Sequence, residues 1–134
     1  MGVAADLVGA VLVRDSRILL GRRSPTKSSA PSCWDVIGGQ VEPGETFEEA
    51  CVREIAEEIA VHAELDDELL RTRLPSGGEY RIFRVTRWSG DSILANDEHS
   101  ELGWFSPDEA CRLRSLAATE YVTLFAKIAA GPIA

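Results

Sequence analysis

Three glutamates near the middle of the chain, Glu54, Glu57 and Glu58, have the residue type and the spacing of a divalent-cation site. They are related by steps of three and four positions, which fall on one face of an α-helix. Carboxylate oxygens are the ligands that hard cations such as Mg²⁺ prefer. Because like charges on one helix face repel each other, the pattern indicates that a ligand rather than stability requires them.

An ordinary helix with a solvated acidic face is the alternative interpretation, and it is the commoner one for charged helices. The neighbouring apolar positions argue against it here. They recur at four-residue spacing and form one stripe, which consists of Phe47, Cys51, Ile55 and Ile59. Carboxylates that edge a buried stripe are poorly placed for simple solvation, so the pattern favours metal binding.

The helix that would carry these glutamates has a clear start signal. Thr46 is a good N-cap, and Glu49 three residues later completes a capping box. Arg53 lies four residues from both Glu49 and Glu57, so ion pairs can hold the acidic array in place.

Residues 39–61 resemble the signature of the Nudix hydrolases. That signature reads glycine, five residues, glutamate, seven residues, Arg-Glu, an aliphatic residue, any residue, Glu-Glu, any residue, glycine and an aliphatic residue. The matching residues are Gly39, Glu45, Arg53, Glu54, Ile55, Glu57, Glu58 and Val61. Two residues differ from the family pattern. Ala60 stands where the signature has glycine, and Ile37 replaces a proline that is common just before the signature begins.

The resemblance implies an α/β/α sandwich in which the signature helix packs against a mixed β-sheet, with residues 1–134 as a single Nudix domain. The order of the elements independently indicates an α/β or α+β class. The predicted strands are 7–13, 18–21, 34–37, 68–74, 79–88 and 101–105. A helical turn opens at 106–109, and an amphipathic helix is expected over 116–128.

The resemblance also implies that Glu54, Glu57 and Glu58 bind Mg²⁺, with Mn²⁺ as a substitute, and that the carbonyl of Gly38 reaches a metal. Glu54 and Glu57 are therefore expected to act in catalysis, together with Arg53 as an orienting residue. The number of metal ions stays open.

Gly39 and Glu45 are expected to support this site without contacting substrate. Gly39 lets the backbone approach closely. Glu45 either assists the metals and their water network or favours the helix N-terminus through the helix dipole.

A late polar loop supplies a further candidate, Glu98, as an additional ligand or the general base. Glu101 competes with it, His99 is a weaker candidate base, and a signature-helix glutamate remains an alternative. An exposed loop acid without a role is the other interpretation of Glu98.

Substrate contacts are expected from the basic end of the second strand and the loop after it. Arg22, Arg23 and Lys27 either meet phosphates or are ordinary surface residues. Trp34 either packs in the core or lines the base pocket.

The implied activity is Mg²⁺-dependent hydrolysis of a nucleoside diphosphate linked to another group. Nucleoside triphosphates, including oxidised or non-standard ones, lead as substrates, followed by nucleotide sugars and ADP-ribose. A catalytically silent nucleotide-binding module and an acidic interaction domain are the alternatives. The sequence contains neither a G-x-S-x-G motif nor a Cys/His pair, so it suggests no covalent nucleophile.

Composition limits the partners. The net charge of −8 argues against binding polymeric nucleic acid, where a basic surface is expected. The three cysteines form no metal or redox motif, which favours free thiols and a cytoplasmic location. The apolar run 8–13 is too short to span a membrane. A homodimer is left open.

Overall fold

A mixed β-sheet with helices on both faces forms the frame of the protein. The computed structural model describes residues 4–129. In chain order the elements are β1 Leu7–Arg14, β2 Arg17–Arg23, β3 Trp34–Asp35, β4 Ile37–Gln40, α1 Phe47–Ile59, β5 His62–Glu64, β6 Glu68–Arg73, β7 Glu79–Val85, β8 Arg87–Ser89, β9 His99–Phe105, α2 Pro107–Cys111 and α3 Tyr121–Ala129.

The main sheet has seven strands in the order β3-β2-β1-β7-β6, with β4 also pairing with β1 and β9 with β2. The β1–β7 pair is parallel, and the other pairs of this sheet are antiparallel. The strands β5 and β8 form a separate two-stranded sheet. The predicted mixed sheet is thereby confirmed.

The central strand β1 is buried on both faces because its neighbouring apolar residues point in opposite directions. Ala10 and Leu12 belong to one core, which they share with Ile55 of α1. Val11 belongs to the other core, which it shares with Phe125 of α3. Two cores separated by one sheet give the α/β/α arrangement that the resemblance implied.

The start of α1 is fixed as the sequence predicts. The backbone N–H of Glu49 donates to the Thr46 hydroxyl at 3.1 Å, and the Thr46 N–H donates to the Glu49 carboxylate at 2.9 Å. This is the predicted capping box. The helix ends at Ile59, and Ala60 follows in the left-handed conformation with φ 60° and ψ 31°.

The prediction of one strand over 34–37 is wrong, because the segment divides at Val36. The Asp35 carboxylate accepts a hydrogen bond from the Val36 N–H at 2.8 Å, which takes that donor out of the ladder. Trp34 and Asp35 pair with β2, whereas Ile37 and its successors pair with β1.

The prediction of one strand over 79–88 is also wrong. The N–H and the hydroxyl of Thr86 both donate to the Asp66 carboxylate, at 2.6 and 2.8 Å, so the ladder stops there. The chain resumes as β8, whose partner β5 was not predicted.

The last helix begins at Tyr121, five residues later than predicted. The segment before it pairs with the sheet instead. The Trp34 N–H donates to the Ser115 carbonyl at 2.6 Å, and the Ala117 N–H donates to the Trp34 carbonyl at 2.8 Å.

The final strand starts at His99 rather than at residue 101. None of the helices within residues 4–129 combines the length and apolarity of a membrane crossing.

Candidate active site

A cleft of about 830 Å³ lies between the carboxyl-terminal half of α1, the β4 strand and the loop before β3. One part of its wall carries the carboxylates of Glu54 and Glu58 beside Gly38 and Gly39. The cleft therefore contains two of the three glutamates that the sequence analysis selected.

Glu58 is the most buried carboxylate of the cleft, with 2% of its surface exposed. Its Oε1 lies 2.8 Å from Nε2 of His99, and its Oε2 accepts a hydrogen bond from the Gly38 N–H at 3.1 Å. Burial raises the pKa of Glu58 to about 7, although the hydrogen bond to His99 opposes this rise and the nearby Glu54 charge adds to it.

Glu54 lies one helical turn earlier and packs directly against β4. A Cβ at Gly39 would come within 2.5 Å of the Glu54 carboxyl carbon, so only glycine leaves room for this side chain. A Cβ at Gly38 would meet the Val8 carbonyl oxygen at 2.0 Å. The two glycines thus allow α1 and β1 to close on β4.

Arg53 forms hydrogen bonds with three of the glutamates around the cleft. It donates two hydrogen bonds to Glu45, at 2.7 and 2.9 Å, and one each to Glu54 at 3.0 Å and Glu57 at 3.2 Å. A fifth goes to the Gln40 carbonyl at 3.0 Å. The hydrogen bond from Arg53 lowers the pKa of Glu45 to about 2. Arg53 therefore links Glu45 to Glu54 and Glu57 through hydrogen bonds.

Glu57 is placed differently from the other two glutamates. Its side chain is 54% exposed, and it is not among the described residues that line the cleft. Within residues 4–129, no three acidic, histidine or cysteine side chains are gathered into a ready coordination sphere. The geometry brings Glu54 and Glu58 together and leaves Glu57 beside them on the outer face of the helix.

The donors in the cleft suit Mg²⁺ or Mn²⁺. Magnesium in proteins is usually held by one or two carboxylates, and waters and substrate phosphates complete the octahedron. Glu54 and Glu58 supply such a pair of carboxylates. Their mutual repulsion, which contributes to the raised pKa of Glu58, is the kind of charge a divalent cation offsets.

Glu98 and Lys27 also line the cleft, where they form an ion pair. The Lys27 ammonium lies 2.6 Å from Oε2 of Glu98, and the Ser24 N–H donates to the Glu98 carbonyl at 3.1 Å. The candidate general base, Glu98, is therefore in direct contact with Lys27, the residue expected to bind phosphate.

The remaining candidates are distributed between the cleft and the surface. Arg23 lines the cleft, whereas Arg22 pairs with Glu101 at 3.2 Å where both side chains are exposed. Trp34 packs edge-on against Phe105, with ring centroids 5.0 Å apart, and is not one of the described cleft residues.

Asp35, Tyr80 and Tyr121, which the sequence analysis missed, form a cluster with the predicted Arg23 in the same cleft, here called the tyrosine cluster. The Tyr121 hydroxyl donates to Asp35 at 2.6 Å and lies 3.1 Å from the Tyr80 hydroxyl. Arg23 pairs with the other Asp35 oxygen at 3.2 Å. Burial raises the pKa of both tyrosines, so they stay neutral.

One signal pointed toward this cluster. Asp35 is the only charged residue in the run from Trp34 to Ile37, and a charge inside an apolar strand normally has a partner. The sequence alone does not identify that partner, because Tyr121 lies 86 positions away from Asp35.

Comparison with known proteins places this geometry in context. The family model described as the NUDIX domain matches residues 5–127. That range includes every candidate residue discussed above.

Curated relatives and solved structures agree with this match. The CTP pyrophosphohydrolase of Escherichia coli is 34% identical over 108 residues, which cover 78% of each chain. A nucleoside triphosphatase of Salmonella newport, NudI, is 31% identical over 117 residues, covering 77% of this chain and 82% of the relative. The crystal structure of a MutT NUDIX hydrolase from Burkholderia pseudomallei superposes with a TM-score of 0.76 at 29% identity, covering 90% of this chain and 95% of that one.

Proposed function

This chain belongs to the Nudix hydrolase family, and on that basis we propose that it is a divalent-cation-dependent pyrophosphohydrolase of nucleoside triphosphates. Membership makes it a hydrolase of phosphoric anhydrides. The choice of triphosphates, the metal and the roles of individual residues are the proposal.

The observation that carries the proposal is the charge arrangement of the cleft. Glu54 and Glu58 lie on one part of its wall, and Lys27 and Arg23 line it as well. A triphosphate brings several negative charges, which two carboxylates alone would repel. A site that combines a cation-binding pair with separate basic side chains fits a polyphosphate chain.

The expected reaction joins the oxygen of a water molecule to the α- or the β-phosphorus and breaks the bond from that phosphorus to the oxygen that bridges the two. The products are a nucleoside monophosphate and pyrophosphate. The name of the Escherichia coli relative, a CTP pyrophosphohydrolase, supports this cleavage. Positioning and charge stabilisation would carry most of the catalysis, as is general for phosphoryl and nucleotidyl transfer.

The residues take the following roles in this proposal. Glu54, Glu57 and Glu58, with the Gly38 carbonyl, would hold Mg²⁺ or Mn²⁺. The bound ion would neutralise phosphate charge and lower the pKa of a coordinated water. Arg53 and Glu45 hold the carboxylates in orientation through their hydrogen bonds.

Lys27 would bind a substrate phosphate, and Glu98 would then be free to accept the proton of the attacking water. The 2.6 Å ion pair supports this exchange, because a substrate phosphate and Glu98 would compete for the positive charge of Lys27. The tyrosine cluster would supply polar contacts to the nucleoside.

The test is hydrolysis of a panel of nucleotides by the purified protein with Mg²⁺, with Mn²⁺ and with EDTA. The panel contains the common ribo- and deoxyribonucleoside triphosphates, 8-oxo-dGTP, a nucleotide sugar and ADP-ribose. We expect monophosphate and pyrophosphate from triphosphates, only with a divalent cation. Hydrolysis in ¹⁸O water identifies the phosphorus attacked, because the label enters the monophosphate after attack at the α-phosphorus and pyrophosphate after attack at the β-phosphorus. Preferential cleavage of the sugar nucleotide or of ADP-ribose would replace the proposed substrate class.

A catalytically silent nucleotide-binding module, the alternative named in the sequence analysis, would contradict this assignment. It predicts that a non-hydrolysable triphosphate analogue binds in the presence of Mg²⁺ while no member of the panel is cleaved. Isothermal titration with the analogue separates this case from an interaction domain that binds neither ligand.

A further inference from the structure

His99 is a buried histidine whose ring contacts a candidate metal ligand directly. Its side chain is 4% exposed, and that of its partner Glu58 is 1% exposed. The Nε2 to Oε1 distance is 2.8 Å. Sequence reasoning had treated His99 as polar surface and, at most, as a weak candidate base. Its burial beside α1 calls for another role.

The proton on the His99 ring can be assigned from its surroundings. Nδ1 is fully buried and has no hydrogen-bond partner among the described residues. A buried N–H without an acceptor is costly, so Nδ1 carries no proton. With its proton on Nε2, the ring donates a hydrogen bond to the ionised Glu58 carboxylate.

The ring is held in this orientation by β2 and by the segment before β9. A Cβ at Gly21 would lie 2.5 Å from Nδ1, so only glycine at this position accommodates the ring. The Ala95 N–H donates to the Glu58 backbone carbonyl at 2.9 Å, and the Ile93 N–H donates to the Ile59 carbonyl at 3.1 Å. The segment 93–99 is thus anchored to the end of α1 before it presents His99.

From this geometry we infer that His99 is the positioning residue of Glu58, holding its carboxylate in the orientation that binds the metal. His99 fixes one oxygen and the Gly38 N–H fixes the other. A carboxylate oxygen can accept more than one hydrogen bond, so each oxygen of Glu58 still has a lone pair with which to bind a cation. The inference rests on the metal site of the proposed function, because ligating carboxylates are themselves oriented by such hydrogen bonds.

Two substitutions separate positioning from packing. His99→Leu replaces the ring with an apolar side chain of similar size and removes the donor. His99→Gln places an amide N–H near the position of Nε2 and keeps the donor. His62→Leu, at the other histidine of the chain and exposed on β5, is the matched control. Each variant is compared with the wild type for Mn²⁺ affinity without nucleotide by electron paramagnetic resonance, for kcat and KM, and for thermal unfolding in EDTA.

We expect His99→Leu to weaken Mn²⁺ binding roughly 10- to 100-fold and to lower kcat more than it raises KM. His99→Gln should recover most of the affinity, and His62→Leu should match the wild type. Unchanged Mn²⁺ affinity in His99→Leu would overturn the inference alone. So would equal loss in His99→Leu and His99→Gln, since packing rather than the donor would then matter. A wild type that binds no Mn²⁺ would overturn the proposed metal site together with the inference.

Discussion

Lys27 and Glu98 form the shortest ion pair of the cleft, with the ammonium 2.6 Å from the carboxylate oxygen. The two residues were selected from the sequence for different tasks, phosphate binding and proton acceptance. In the proposed function, a substrate phosphate would compete with Glu98 for Lys27, so substrate binding and release of the base would be coupled.

The first prediction distinguishes Glu98 from Glu101 as the general base. Glu98→Gln should lower kcat by about 10²-fold or more and remove the acidic limb of the pH–rate profile at saturating Mg²⁺. Glu101→Gln is the matched control, because Glu101 pairs with Arg22 on the exposed surface. The Glu101→Gln variant should keep the wild-type kcat and the acidic limb of the pH–rate profile.

The reverse result would assign the base to Glu101. If neither variant changed the profile, proton acceptance would belong to a glutamate of α1 or to His99. Full profiles are needed for both proteins, since a single rate measured at one pH does not separate a lost base from a shifted optimum.

The second prediction concerns the glutamates that are proposed to bind the metal. Glu54→Gln and Glu58→Gln should each reduce kcat on the order of 10²-fold and raise the Mg²⁺ concentration needed for half-maximal rate, because an amide keeps the shape and loses the charge. Glu57→Gln is expected to do the same if Glu57 joins the metal site from its present position beside Arg53. Glu48→Gln, exposed on the same helix, is the control.

Near-normal kcat and an unchanged Mg²⁺ requirement in Glu54→Gln and Glu58→Gln would reject the metal assignment. If only Glu57→Gln behaved normally, the site would consist of the two carboxylates that line the cleft. Magnesium titrations at fixed substrate concentration, checked against circular dichroism of each variant, provide the measurement.

The third prediction is a pH dependence of stability in the metal-free protein. Burial raises the pKa of Glu58 to about 7 in the folded state, above an unfolded value of about 4.3. Between these values the folded protein binds more protons than the unfolded chain. The contribution of Glu58 to the free energy of unfolding therefore falls as pH rises through this window, by about 1.4 kcal/mol per pH unit at most.

Urea unfolding in EDTA at pH 5, 6, 7 and 8 tests this sign. Glu58→Gln removes the titrating group, so its stability should gain on that of the wild type as pH rises from 5 to 7. A constant difference between the two proteins across the series would show that Glu58 titrates near its ordinary pKa.

The parts of the fold that local chemistry specifies were predictable. The capping box of Thr46 and Glu49 needs only residues three positions apart, and the structure confirms it. The errors arose where distant groups decide the outcome. Asp66 ends β7 by binding Thr86, and backbone pairing of residues 115 and 117 with Trp34 delays α3.

The same distinction applies to the candidate site. Helical spacing identified Glu54 and Glu58, because residues four positions apart meet on any α-helix. It did not separate Glu57, whose direction depends on its pairing with Arg53. The links from Asp35 to Tyr121 and from Glu58 to His99 join residues far apart in the chain, and no local pattern contains them.

The last prediction concerns Ala60, which stands where the family signature has glycine. Its φ of 60° and ψ of 31° are left-handed, a conformation that costs a residue with a Cβ roughly 1–2 kcal/mol. Ala60→Gly should therefore raise the free energy of unfolding by about 1 kcal/mol, although the greater freedom of glycine in the unfolded chain offsets part of the gain. Ala56→Gly is the matched control, because Ala56 is an exposed residue inside α1, where the same substitution should cost about 1 kcal/mol. Urea unfolding in EDTA should give opposite signs for the two variants, and a loss of stability in both would mean that residue 60 is helical in solution.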